Sequence, residues 1–295
     1  MNKLLAFLLL FVLGCASFSF AEDNKVMKIA TSVPPYAKLV KDIGGVYVDV
    51  NSILPPSADP HTYEPKPAAL KEFSQVQLYF SDGSGMDKAW LPRFKGVNKN
   101  MKVVNLAPSV KWIEENGDGH DHELDPHVWT SPWQMRQILN TVLKVLSEED
   151  PAHKSYFMEK FASLSSRLDK LDKKMRFEVI RIPRDQRSFI VFHPAYGYFA
   201  RDYKMEQIAV QVNGKEPKPK DLQKLIRIGK ERNIHIVFVQ PQFNKRSAET
   251  IAKELDAVIV ETDPMAYNYM QNSSNLLNAI SDYAQKSGAK NGVKK

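Results

Sequence analysis

A long amphipathic helix near the middle of the chain is the feature that most limits the possible folds. From His153 to about Ile180 the sequence contains no glycine or proline, and apolar residues recur three and four positions apart. The residues of this stripe are Phe157, Phe161, Leu164, Leu168, Leu171 and Met175. A helix of about 28 residues is roughly 42 Å long. This length indicates a stiff connection between two lobes.

The same stripe is also compatible with a coiled-coil dimer. Fewer than four heptads are available, however, and two phenylalanines would occupy the seam. We therefore favour a connecting helix, and we expect a monomer.

Strand-like and helix-like segments alternate on both sides of this helix. The strand-like runs are 27–33, 46–54, 76–80 and 103–106 before it, and 188–192, 207–212, 234–239 and 257–260 after it. This alternation predicts an α/β fold with two lobes, each a mainly parallel sheet flanked by helices. Ligands of such sheets bind beyond the carboxyl ends of the strands.

The expected domain organisation follows from these segments. We place a first α/β lobe at 22–150, the connecting helix at 151–183 and a second α/β lobe at 184–286, followed by a solvated basic tail at 287–295. About 274 residues remain once a leader is removed, which is enough for two domains of ordinary size.

Residues 1–21 have the pattern of a secretory signal peptide. Lys3 precedes about ten apolar residues, which are too few to span a bilayer. Two endings are compatible with the sequence: Val12–Cys15 resembles a lipobox that would make Cys15 the lipidated amino terminus, and Ser19–Ala21 resembles an ordinary cleavage site. We expect a periplasmic protein, anchored outside the cytoplasmic membrane if Cys15 is lipidated.

Cysteine content and charge exclude several classes of function. Cys15 is the only cysteine, so we expect neither an internal disulfide nor a thiolate metal site in the exported protein. The net charge is +7, but the lysines are dispersed rather than interleaved with aromatic residues. Together with export, this pattern argues against a nucleic-acid partner.

Four proline-flanked segments each carry a candidate metal ligand. They contribute His61, His127, His193 and Asp263, at intervals of 66, 66 and 70 residues. These intervals are too long for a zinc finger and suit ligands gathered from distant loops. Three imidazoles and a carboxylate form a set that Zn²⁺ accepts. Each residue alone is equally compatible with a hydrogen-bonded histidine or a turn-capping aspartate, but the four together favour a metal site.

Other histidines are weaker candidates. His120 and His122 lie in the acidic loop 114–123 and could form an accessory metal site, although we favour a solvated loop. His235 lies within a strand-like run, and we interpret it as structural.

The motifs around the four candidates resemble those of one family. They are Asp59-Pro60-His61-Thr62-Tyr63-Glu64, Asp125-Pro126-His127-Val128-Trp129, Phe192-His193-Pro194-Ala195-Tyr196 and Asp263-Pro264. In this order, and with the long helix between them, they resemble the metal-binding substrate-binding components of ABC transporters that import zinc or manganese. The resemblance extends from about residue 27 to 285. It implies that the first lobe supplies His61 and His127 and the second supplies His193 and Asp263, around one cation between the lobes.

The resemblance also implies a membrane permease as partner and zinc as cargo. Manganese members typically have glutamate at the position of His193, and nitrogen-rich sites suit Zn²⁺. Two features depart from the family pattern. The loop 115–123 is short, which argues against a large zinc reservoir, and Gln240 stands where many members have glutamate, which leaves Asp263 as the carboxylate ligand.

Alternative functions are a manganese or iron carrier of the same family, a zinc-dependent hydrolase and a surface adhesin. The chain has no His-Glu-x-x-His motif, and Gly83-Ser84-Gly85 lacks the glycine spacing of a nucleophile elbow. We therefore expect a carrier of Zn(II) and not an enzyme. We expect metal release to begin with movement of the second-lobe loops that carry His193 and Asp263.

Overall fold

The structure is a computed structural model that describes most of the chain. The described residues are 26–55, 58, 63–114, 124–209, 218–241 and 245–292. The expected signal peptide with Cys15, the candidate ligand His61 and the loop with His120 and His122 lie outside them. Within the described part, no helix is both long enough and apolar enough to cross a membrane.

The first lobe is built on a parallel four-stranded sheet. Its strands are β1 (Met27–Thr31), β2 (Val48–Ser52), β3 (Leu78–Ser81) and β4 (Lys102–Asn105), in the order β2-β1-β3-β4. The helices between these strands are α1 (Pro34–Gly44), α2 (Pro67–Phe73) and α3 (Gly85–Val97). Every residue of β3 is buried, because helices and loops cover both faces of the sheet.

The second lobe repeats this plan. Its strands are β5 (Ser188–Val191), β6 (Glu206–Ala209), β7 (Ile236–Val239) and β8 (Val258–Glu261), all parallel, in the order β6-β5-β7-β8. Its helices are α6 (Gly197–Tyr203), α7 (Pro219–Glu231), α8 (Lys245–Leu255) and α9 (Tyr269–Gly292).

Two helices lie between the sheets in the chain, and the second is the predicted long helix. They are α4 (Pro132–Glu149) and α5 (Lys154–Arg181), and α5 has 28 residues. In the predicted stripe, Phe161 is partly buried and the other five residues are buried against α1, α4 and α9. One continuous apolar core contains Leu78 of the first sheet, Leu168 of α5 and Phe238 of the second sheet. The predicted two-lobed fold is therefore confirmed.

Helices α3 and α6 were not expected from the sequence. Helix α3 begins at Gly85 and contains Pro92, and both residues argue against a helix in the sequence. Its first turn is stabilised by Ser84, whose hydroxyl accepts a hydrogen bond from the Asp87 amide at 3.2 Å. Most of the aromatic segment 195–200 lies in the short helix α6.

Several element ends also differ from the predictions. A 3-10 turn at Gly45–Tyr47 precedes β2, so this strand begins later than expected. His235 directly precedes β7 rather than lying inside it, and its Nδ1 is 3.2 Å from the Leu255 carbonyl oxygen, in agreement with a structural role. Helix α9 ends at Gly292, beyond residue 286, the expected end of the second lobe.

Candidate metal centre

Two of the described candidate ligands lie just beyond the carboxyl ends of strands, as expected, and the third lies just before a helical turn. His193 lies two residues after β5, and Asp263 lies two residues after β8. His127 precedes a 3-10 turn at Val128–Thr130, which leads into α4. Because the carboxyl ends of parallel strands share one edge of a sheet, the His193 and Asp263 loops emerge on the same side of the second lobe.

The structure brings two of these side chains into direct contact. The Nε2 atoms of His127 and His193 are 3.1 Å apart, and the ring planes are inclined by 70°. Both side chains are buried, with relative exposures of 1% for His127 and 9% for His193. Two Zn–N bonds of about 2.05 Å at a tetrahedral angle would place the nitrogens about 3.3 Å apart. The observed separation therefore fits two imidazoles that share one metal ion.

A buried aspartate fixes the orientation of His127. One carboxylate oxygen of Asp125 is 2.8 Å from His127 Nδ1 and also accepts the His127 backbone N–H at 2.8 Å. A carboxylate beside Nδ1 favours the tautomer with the proton on that atom, so the Nε2 lone pair faces His193. No role was predicted for Asp125 from the sequence. Its position in the sequence Asp125-Pro126-His127, two residues before a candidate ligand, could have indicated this role.

Gln240 has a similar orienting role on the other side. It directly follows β7 and is fully buried. Its side-chain oxygen accepts the His193 backbone N–H at 2.9 Å, and its Nε2 donates to the His193 carbonyl at 3.2 Å. The amide thus holds the His193 backbone through both of its polar atoms, a role that was not predicted from the sequence.

Asp263 is held by its own loop and by α9. Its Oδ1 accepts the Met265 amide at 2.9 Å, and its backbone pairs with the Asn272 side chain at 3.0 and 3.1 Å. Among the described residues, no group of three or more His, Cys, Asp or Glu side chains could hold a metal ion. In the described part of the structure, the side chains of His127 and His193 are in contact, and the two do not form a three-ligand metal site with Asp263.

Hydrogen bonds connect the ligand segments to one another. Tyr196, three residues after His193, has its hydroxyl 2.7 Å from the Thr262 hydroxyl beside Asp263. Trp129 Nε1 donates to the Pro264 carbonyl at 2.8 Å. Apart from the tryptophan beside His127 and the aromatic residues after His193, the sequence carried no signal for these contacts.

The comparisons with known proteins identify the family. The family model described as zinc-uptake complex component A, periplasmic (ZnuA), matches residues 29–283. The high-affinity zinc uptake system protein ZnuA of Bacillus subtilis (strain 168) is 27% identical over 271 residues, which cover 85% of this chain and 83% of that protein. The manganese-binding lipoprotein MntA of Halalkalibacterium halodurans is 26% identical over 244 residues, which cover 82% of this chain and 80% of that protein.

Solved structures agree with this assignment. A crystal structure of ZnuA superimposes with a TM-score of 0.78 at 36% identity, covering 88% of this chain and 98% of that one. A zinc-bound deletion mutant of ZnuA superimposes with a TM-score of 0.77 at 36% identity, covering 88% of this chain and 97% of that one. Relatives named for zinc and for manganese both occur, and the members are solute-binding proteins rather than enzymes. The chain thus belongs to the ZnuA family of metal-binding substrate-binding proteins, which work with the membrane permeases of ABC transporters.

Proposed function

We propose that this protein captures Zn²⁺ outside the cytoplasmic membrane and delivers it to an ABC permease. The proposed ligands are His61, His127, His193 and Asp263. The observation that supports this proposal most directly is the buried pair of imidazoles whose Nε2 atoms are 3.1 Å apart. In the proposed complex, His61 and Asp263 complete the coordination of the ion held by this pair.

The donor set favours zinc over manganese. Imidazole nitrogens suit Zn²⁺, whereas Mn²⁺ prefers oxygen-rich sites. The contact of His127 Nδ1 with Asp125 fixes the orientation of the ring, so that Nε2 faces His193. A manganese carrier is the second candidate, because a relative of similar coverage is named as manganese-binding.

The test is a titration of the chelator-stripped mature protein with Zn²⁺ and with Mn²⁺, followed by thermal unfolding and metal analysis. An ion that binds only the folded state, at 100 times its dissociation constant, adds about 2.7 kcal/mol to the free energy of unfolding. We expect one Zn²⁺ per chain, strong stabilisation by Zn²⁺ and little by Mn²⁺. His193→Ala should abolish the zinc-dependent stabilisation.

His153→Ala is the matched control for this variant. His153 is a half-buried histidine that contacts Asp150 and stacks on Tyr47, and these contacts do not include the proposed ligands. Its replacement should leave zinc binding intact. Equal stabilisation by Mn²⁺ would refute the zinc assignment, and the absence of stabilisation by either ion would refute the metal site.

A further inference from the structure

Helix α6 of the second lobe contacts the chain segment before His127. The Tyr198 hydroxyl donates to the Asp125 carbonyl at 2.8 Å and accepts the Ile113 amide at 3.1 Å. Burial raises the pKa of Tyr198 to about 12, so the hydroxyl keeps its proton at neutral pH and remains a donor. One side chain of the second lobe thus binds the backbone of the first lobe at two points.

The same helix contacts the chain after His127. One carboxylate oxygen of Asp202 accepts hydrogen bonds from the Ser131 hydroxyl and the Gln134 side-chain amide, both at 2.7 Å. Ser131 is the N-cap of α4, so this carboxylate anchors the start of that helix to α6. The segment that carries His127 is therefore bound to α6 on both sides.

A third contact lies beside the proposed metal site. The Trp129 indole N–H, two residues after His127, bonds to the Pro264 carbonyl of the second lobe at 2.8 Å, and Trp129 is buried. All three contacts connect residues distant in sequence, and all involve the 113–134 segment.

We infer that Tyr198 is a positioning residue for the metal site, holding His127 against the second lobe so that it faces His193 before metal arrives. This inference rests on the proposed function, because it treats His127 and His193 as ligands. Although His127 precedes the long connecting helix in sequence, the hydrogen bonds of its flanking residues Asp125, Trp129 and Ser131 attach it to the second lobe. A site with two ligands already in place loses less conformational freedom when it binds a metal ion.

A His127 that is held by the second lobe changes the movement expected during metal release. The sequence suggested that the second-lobe loops withdraw His193 and Asp263 from the other ligands. With the hydrogen bonds of Tyr198 and Trp129 intact, His127 instead moves together with His193. Separation of this pair then requires breaking the contacts made by α6.

The experiment compares Tyr198→Phe with Tyr203→Phe in the full mature protein. Tyr203 is also buried and also lies on α6, but its hydroxyl donates to Asp172 of α5, at 2.9 Å, rather than to the His127 segment. Two quantities are measured: the Zn²⁺ dissociation constant by chelator competition, and amide hydrogen exchange of residues 124–131 in the metal-free protein.

We expect Tyr198→Phe to accelerate exchange in 124–131 and to raise the dissociation constant roughly fivefold or more, the factor for one lost hydrogen bond. Tyr203→Phe should change neither quantity, even if it lowers the unfolding temperature. If amide hydrogen exchange of residues 124–131 is unchanged in Tyr198→Phe, Tyr198 does not hold this segment in place. Faster exchange with unchanged affinity would refute the positioning role. If the wild-type protein binds neither Zn²⁺ nor Mn²⁺, the proposed function fails, while the exchange result still decides whether Tyr198 holds the segment.

Discussion

Asp82 is a buried carboxylic acid at the carboxyl end of β3, next to the buried carboxylate of Asp87. Its oxygens accept hydrogen bonds from the Ser32 hydroxyl at 2.5 Å and the Ser84 amide at 2.9 Å. Burial, followed by repulsion from Asp87, raises the pKa of Asp82 from 3.8 to about 8. The folded protein therefore holds a proton at this site that the unfolded chain releases under mildly acidic conditions.

This difference in proton binding predicts a pH-dependent stability. Between about pH 4 and pH 8 the folded state binds one more proton than the unfolded state at Asp82, so the free energy of unfolding falls as pH rises and levels off above pH 8. Asp82→Asn removes this contribution while keeping an amide that can bond to Ser32 and Ser84. We expect the variant to gain stability relative to wild type as pH rises from 5 to about 8.5.

Thermal unfolding at both pH values checks this prediction. The matched control is Asp49→Asn, which makes the same substitution at an exposed position on β2. Its stability relative to wild type should vary much less with pH. A constant difference between Asp82→Asn and wild type at both pH values would contradict protonation of Asp82 in the folded protein.

At the scale of secondary-structure elements, the close approach of α6 to the Asp125 loop depends on a glycine. A Cβ atom at Gly197 would lie 2.5 Å from Asp125 Oδ2 and 3.6 Å from Ile113 Cδ1. The carboxylate would have to move, and this carboxylate orients His127. We therefore expect the first residue of α6 to affect the proposed metal site without contacting a proposed ligand.

We predict that Gly197→Ala lowers zinc affinity by about tenfold, at the lower end of the range for disturbed outer contacts of metal ligands. The stability of the metal-free protein should change little, because alanine favours the helix while the displaced carboxylate opposes it. Chelator competition measures the affinity. Gly85→Ala is the control, since a Cβ there meets open space at the start of α3. Equal affinities for both variants would show that Asp125 tolerates the displacement.

At the scale of the whole molecule, the continuous core predicts that both lobes unfold together. Leu168 lies in the middle of α5, is fully buried and belongs to the core cluster that includes residues of both sheets. Leu168→Ala should lower the free energy of unfolding by about 2–5 kcal/mol through lost burial and the cavity it leaves. Both lobes should still unfold in one cooperative transition, and its midpoint should move to a lower temperature.

The positions of the tryptophans make this testable. All four tryptophans precede residue 134, so their fluorescence reports on the first lobe and on its contacts with the second, such as the Trp129–Pro264 hydrogen bond, whereas far-ultraviolet circular dichroism reports on the helices and strands of both lobes. The two transitions should coincide in wild type and in Leu168→Ala. Met158→Ala, at a position on the same helix that is 51% exposed, should shift them much less. Separate transitions would show that the lobes unfold independently.

The sequence by itself determined the regular architecture. The three-and-four spacing from Phe157 to Met175 predicted α5 within one residue at each end, and the alternation of strand-like and helical segments predicted two parallel sheets. These signals are local, because burying one face of a helix or strand requires a repeat within the segment itself. Helix α3 was missed because Pro92 lies inside it, and an internal proline argues against a helix.

Tertiary structure alone decided how the candidate site is assembled. Asp125 orients His127, Gln240 holds the His193 backbone and Tyr198 joins the lobes, although none of these roles has a periodic signal in the sequence. Each depends on a single hydrogen bond or pair of bonds, and the bonds of Gln240 and Tyr198 join segments 47 to 85 residues apart. Such bonds form only after the apolar core has fixed the positions of the loops, because hydrogen-bond geometry requires atoms to meet within a few tenths of an ångström.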